Sequence, residues 1–320
     1  MNSISLPRTD LRVSSLCLGT ADFGAGISEA DSFAMLDEFV GAGGNFLDTA
    51  AVYAAWTPAG KGSSERLIGR YLAARSEWKN IVVATKGGHP VVDENGVSLT
   101  ARVEVEPDLN ESLKNLGRDI IDLYYMHRDD PNRSVEEILA MLESFVQAGK
   151  IRYYAFSNWK RERAQEAHEI AKNKGFRGFV ASQPLWSAAK PDLTKSDLTL
   201  VPLDDEYLKW HEENNFPAIP FSSQANGYFQ KLLAEPPVEL SAGVKSTYDS
   251  EAVKSFNRQR AEKIRILMKE KGLSATAVNF GFMWAHKFPV SPIIGPKNMD
   301  QLRDCIEAER QYDEDIDYAL

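Results

Sequence analysis

The sequence predicts an α/β fold in which parallel strands, each followed by a helix, close into a (β/α)₈ TIM barrel. Three observations carry that prediction. Short apolar runs alternate with helix-period segments along the whole chain, so every connection is a crossover and the sheet is parallel, covered on both faces. Eight such units are the number that closes a barrel. No strand runs into a helix through a Gly-x-Gly-x-x-Gly turn, which weakens the alternative of a doubly wound open sheet. The 320 residues suit one barrel, so a single domain over 1–320 is expected, with a short N-terminal segment and extended loops at one rim.

Each element follows from local pattern. Leu16 to Gly19 is the first strand and ends in a glycine turn. Glu29 to Gly41 places Phe33, Leu36, Phe39 and Val40 at helical spacing and stops in the glycine-rich 41–44. Phe46-Leu47 is the second strand. Helix 63–75 follows, with Ser63 or Ser64 expected as its N-cap and Glu65 in the first turn, where the helix dipole favours an acid. Ile81 to Thr85 is a buried strand, and helix 106–116 carries Leu109, Leu113 and Leu116 on one face. Ile120 to Met126 is strand and Val135 to Ala148 helix, ended by Gly149. Ile151 to Phe156 is strand and Arg161 to Lys174 helix, ended by Gly175. Phe179 to Ala181 is a shorter strand, followed by helix 203–214. The segment 217–221 is proline-rich but strand-like. Helices 255–271 and 274–286, strand 290–294 and helix 299–309 complete the series. The stretch from Ser222 to Ser255 is too long for a routine connection and reads as a lid or binding loop.

Composition excludes several functions. A formal charge of −9 with scattered acids and bases leaves no basic footprint for nucleic acid. No apolar run approaches the roughly 20 residues that span a bilayer, and the N-terminus lacks a signal-peptide pattern. Two cysteines, Cys17 and Cys305, suit a reducing compartment and form no metal motif with the histidines. A cytoplasmic protein without a membrane or nucleic-acid partner is expected, acting on a small molecule.

The strand ends carry the chemistry, because in a parallel barrel they share one rim. The second strand stops at Asp48, with Tyr53 in the loop beyond; the third ends in Lys86; the fourth runs into His127. The fifth ends in Ser157-Asn158 and the sixth in Ser182-Gln183. Singly, each is an ordinary cap, rim charge or core residue. Together on neighbouring strands they make a set with a use. Asp48 keeps Lys86 charged; that cation is expected to lower the Tyr53 pKa and poise it as an acid; neutral His127 orients a carbonyl oxygen. Such a site polarises and protonates a carbonyl and needs a reductant from a bound cofactor.

The chain resembles the aldo-keto reductase family over essentially its whole length. The resemblance rests on Asn45 to Ala50 with Tyr53, on Gly62-Ser63-Ser64-Glu65 through Gly69, on Leu116 to Tyr124 leading to His127, and on Gly149-Lys150-Ile151-Arg152 leading to Ser157-Asn158. It implies a catalytic tetrad of Asp48, Tyr53, Lys86 and His127, with Tyr53 as proton donor. It also implies a nicotinamide cofactor, NADPH with NADH as the alternative, lying extended across the rim and bound in part by Gly19, Thr20 and Asp48. Ser157, Asn158 and Gln183 would contact its carboxamide, with Phe221 against the ring and Ser222, Gln224 and Asn226 along the pyrophosphate. Gly295, Lys297 and Gln301 resemble the adenosine-end motif, Lys297 suiting a 2′-phosphate. Cys305 departs from that motif, standing where an asparagine is usual.

Trp56, Trp159 and Trp186 follow strand ends and are expected to line the substrate pocket. An aromatic rim suits the flat face of a sugar or an aromatic carbonyl, and a sugar or other small polar carbonyl is the expectation. Two other functions compete. One is a cofactor-binding regulatory subunit of the same fold with little turnover; the other is a Schiff-base aldolase using Lys86, which Asp48 opposes by keeping the amine protonated.

Overall fold

The computed structural model of the chain describes residues 1–75, 80–90, 105–194, 196–197 and 199–320. A hairpin opens it, β1 (Ser3–Ser5) pairing antiparallel with β2 (Arg12–Ser14). A parallel sheet follows: β3 (Cys17–Gly19), β4 (Phe46–Asp48), β5 (Val82–Gly87), β6 (Ile121–Met126), β7 (Ile151–Ser157), β8 (Ser182–Gln183) and β9 (Ile293–Ile294). The seven strands run in the order β8-β7-β6-β5-β4-β3-β9, so each sequence neighbour is a spatial neighbour until β9 returns to pair with β3.

The curl closes through the proline-rich segment expected as the seventh strand. Ala218 bridges Ser182 on one side and Val290 on the other. The amide of Ser182 donates to the Pro217 carbonyl, and that of Ile293 to Pro220. Prolines at 217 and 220 have no N–H to give, which reduces this stave of the (β/α)₈ barrel to single bridges. The sixth strand pairs formally only at 182–183, although Val180 N–H and the Ala181 carbonyl already bond to β7.

Helices α1 (Glu29–Gly41), α2 (Ser63–Ala74), α3 (Val105–Leu116), α4 (Val135–Gln147), α5 (Arg161–Lys174) and α6 (Asp205–Glu213) follow the strands in alternation. Two apolar cores result. One lies between strands and helices; the other fills the barrel, where Phe46, Val82, Leu123, Ala155, Val180 and Ile219 meet Leu6, Leu11 and Val13 of the hairpin. The short N-terminal segment is therefore a plug for the barrel floor. Arg152 fastens it, reaching Asp10 at 2.7 Å and buried Asp122 at 2.9 Å.

Two expectations change. Residues 222–255 are not an open loop: α7 (Tyr228–Leu232) and α8 (Ala242–Tyr248) fold within it, Tyr228 and Tyr248 packing into the core ahead of α9 (Lys254–Lys271) and α10 (Ala275–Trp284). Nor do Ser63 and Ser64 cap α2. Its N-cap is Gly62 in the left-handed region (φ 75°), while the two hydroxyls donate to the carbonyls of Gly24 and Thr20. The serines fasten the helix to the loop after β3. The last helix, α11 (Met299–Arg310), is capped by Asn298.

Candidate active site

The register of the parallel strands assembles the site. Gly19 lies beside Asp48, Asp48 beside Ala84, Lys86 beside Tyr125, and Ser157 beside Gln183, so their side chains emerge at one rim. Glycine at 19 permits a close approach to β9: a Cβ there would sit 2.7 Å from the Ile293 side chain and 3.1 Å from the Ile294 carbonyl oxygen.

Asp48 and Lys86 form a buried ion pair at 2.6 Å, with side-chain exposures of 2% and 0%. Lys86 Nζ also donates to the Thr49 carbonyl at 2.7 Å and to the Tyr53 hydroxyl at 2.9 Å, which uses all three of its hydrogens. Gln183 Nε2 donates to the other carboxylate oxygen of Asp48 at 2.8 Å. Burial opposes the charge on Lys86, but the Asp48 carboxylate and the Tyr53 oxygen outweigh it and hold the ammonium above its ordinary range. The expectation for Tyr53 is corrected. Lys86 does pull its pKa down, yet burial and the adjacent Asp48 together push harder, and the net direction is upward. At neutral pH Tyr53 keeps its proton.

His127 stands across from Tyr53, ring centroids 6.1 Å apart and edge to face. Burial above all, then the positive Arg128 and Lys86 and the neighbouring His89 ring, pushes its pKa well below the ordinary value. It is a neutral imidazole, and its Nδ1 is buried without a hydrogen-bond partner. Among the described residues no group of His, Cys, Asp and Glu has the geometry to hold a metal ion.

A groove of about 870 Å³ leads from Asp48 and Tyr53 past Phe221, Ser222, Gln224 and Asn226 to Gly295, Lys297 and Gln301. Gly19 lines it. Thr20 is fully buried, and its hydroxyl is occupied by the Asp48 carbonyl and Ser64. Ser157 donates to the Gln183 carbonyl, and Asn158, at φ 57°, spans from Ser157 to the Val201 amide. These two side chains brace the rim.

The three tryptophans separate. Trp56 is 68% exposed on the loop that carries Tyr53. Trp159 and Trp186 do not line the pocket, a correction to the sequence reading. Trp159 packs against Phe156 and Phe179, and Trp186 against Phe282, His286 and Phe288, both in the layer between strands and helices. A position just after a strand end does not set which way a large ring turns, and burial of apolar area turned these inward.

Two neighbours escaped the sequence reading. His89 packs edge-on to His127 at 4.7 Å between centroids, and Arg128 donates to the His127 carbonyl, to Thr199 and to Asp197. Both sit within three residues of a strand-end candidate, and that adjacency is the signal that would have found them.

The chain belongs to the aldo/keto reductase family, a family of oxidoreductases, whose model matches residues 15–318. Among particular relatives, it is 31% identical over 313 residues to the uncharacterized oxidoreductase YrpG of Bacillus subtilis, covering 95% of this chain and 89% of that one. It is 29% identical to norsolorinic acid reductase B of Aspergillus parasiticus, covering 92% and 76% of the two chains. Aryl-alcohol dehydrogenase GME11368 of Pestalotiopsis microspora is 26% identical, with 94% and 76% covered.

Proposed function

We propose that the protein reduces an aldehyde or ketone to the alcohol, or runs the reverse reaction, with a nicotinamide dinucleotide as redox partner. The observation that carries this reading is the buried Asp48–Lys86 pair with Lys86 donating to the Tyr53 hydroxyl at 2.9 Å, at the mouth of the long groove. The groove's residues fit the cofactor: apolar Phe221 near the reacting end, polar Ser222, Gln224 and Asn226 midway, and Lys297 at the start of α11. Lys297 supports NADPH, since a cation at a helix N-terminus suits a 2′-phosphate.

When bound, the dinucleotide supplies the two electrons as a hydride equivalent. The chain's residues do the rest. His127 stays neutral and orients the carbonyl oxygen without competing as a base. Tyr53 holds its proton until that oxygen gains negative charge, then delivers it. Lys86, kept cationic by Asp48, stabilises the phenolate left behind. In the oxidation direction the same groups take the proton back.

Relatives named for norsolorinic acid reduction and aryl-alcohol dehydrogenation favour an aromatic carbonyl or alcohol over the sugar expected from the rim tryptophans. The test is turnover of aromatic aldehydes and ketones, with sugars alongside, using NADPH and NADH. Tyr53→Phe is expected to lower turnover by ~10²–10⁴-fold with cofactor affinity nearly unchanged. Wild-type rates in that variant would remove Tyr53 as the donor. Cofactor binding without turnover of any carbonyl would favour the regulatory-subunit reading.

A further inference from the structure

Lys297 is not free. Its ammonium is paired with the carboxylate of Asp22, which reaches across the groove from the loop after β3. That loop is fixed: the Asp22 carbonyl accepts from the amides of Ala25 and Ile27, and Phe23 is buried in the core. The far end of the groove is also acidic. Asp22, Asp300 and Asp304 line it against two ammonium groups, Lys297 and Lys231. Lys231 is turned onto the Asn226 carbonyl, and Asp304 accepts from Thr276.

From this geometry we infer that Asp22 is a specificity residue for the dinucleotide, working against the phosphorylated form. The inference rests on the proposed use of the groove by a nicotinamide dinucleotide. A 2′-phosphate, with a charge of about −1.5 to −2, that binds Lys297 must either share the ammonium with Asp22, lying beside a like charge, or displace Asp22 and leave its carboxylate without that partner. An unphosphorylated ribose leaves the ion pair intact, and its 2′-hydroxyl can donate to the same carboxylate. Lys297 pulls towards NADPH; Asp22 subtracts from that pull. The two residues set the preference as a pair, which a reading of Lys297 alone overestimates.

The test is binding, read by quenching of tryptophan fluorescence or by nicotinamide fluorescence, with no turnover required. Dissociation constants for NADPH and NADH are compared in the wild type, Asp22→Asn and Asp22→Ser. Both substitutions sit on an exposed side chain, and two variants guard against one that folds poorly. The ratio of NADH to NADPH dissociation constants is expected to rise by about tenfold in both, mostly through tighter NADPH. Because the effect is between exposed charges, the difference between wild type and variant should shrink from ~0.05 M to ~0.5 M salt. A ratio unmoved within about twofold in both variants, or one that moves towards NADH, overturns the role of Asp22. If the wild type binds neither dinucleotide, the proposed function fails, and that result is distinct from binding of both with an unchanged ratio.

Discussion

At the scale of single residues, the Asp48–Lys86 pair dominates. Both charges have left water, and what keeps them there is mutual attraction with full hydrogen bonding: three acceptors for the ammonium, and Lys86 and Gln183 as donors to the carboxylate. Removing one partner strands the other. Lys86→Met should therefore destabilise the protein by ~3–5 kcal/mol in urea unfolding, well beyond the cost of changing a surface lysine. The double variant Lys86→Met with Asp48→Leu should recover part of that loss, because no buried charge remains. Equal stability of Lys86→Met and wild type would mean that the pair is hydrated in solution. The upward shift of Tyr53 belongs to this scale as well: a phenol that keeps its proton is suited to giving it to an oxygen that becomes strongly basic only as the reaction proceeds.

Elements are held in register by a few close approaches. Helices α2 and α3 cross where Gly69 meets the backbone of Asn115 and Leu116; a Cβ at 69 would lie 2.4 Å from the Asn115 carbonyl oxygen. Backbone cannot step aside as a flexible side chain can. Gly69→Ala gains helix propensity but forces the helices apart, and a net loss of ~1–3 kcal/mol is expected from denaturant midpoints. A neutral or stabilising result would show that α3 slides without cost. Beneath this crossing, buried Glu65 accepts from Thr85 at 2.6 Å and from Asn115 at 3.1 Å, and burial raises its pKa. The residue that the pattern offers as a dipole-favoured first-turn acid in fact ties α2 to β5 and α3.

For the molecule as a whole, pH acts through buried imidazoles. His127 lies well below its ordinary pKa, and His211, fully buried with Nδ1 on the Phe216 carbonyl, is pushed down to about 4, in both cases chiefly by burial. The unfolded chain binds these protons near pH ~6.5, the folded one only at lower pH. Unfolded chains thus hold more protons in that window, and stability rises with pH across it. The contribution is complete above about pH 6.5 and is lost as pH falls towards 4, by up to ~1.4 kcal/mol per pH unit for each histidine. Urea midpoints taken between about pH 7.5 and pH 5 should fall accordingly. Buried Glu65, its pKa raised, works in the opposite sense, so the imidazole share is read by comparing wild type with His211→Gln: an unchanged slope in that variant would remove His211 from the account.

Most of the architecture was legible in the sequence because a parallel barrel writes itself as continuous apolar runs alternating with amphipathic helices, and because turns, glycines and strand ends are local. The rim set of Asp48, Tyr53, Lys86 and His127 was legible for the same reason: each stands where an apolar run stops or just beyond, and the parallel order sends those ends to one side. Other features needed the tertiary structure. The direction of the Tyr53 shift depends on the balance of burial, Asp48 and Lys86, a contest of distances that spacing along the chain does not carry. The inward turn of Trp159 and Trp186 depends on where apolar volume was left to fill. The meeting of Asp22 with Lys297 joins residues 275 positions apart. By itself the sequence determined the fold and the chemical groups at the rim, which follow from period and residue type, and the family, which its ordered motifs resemble. Only the folded chain decided which of those groups are free and which already hold one another, because charge and burial act through space.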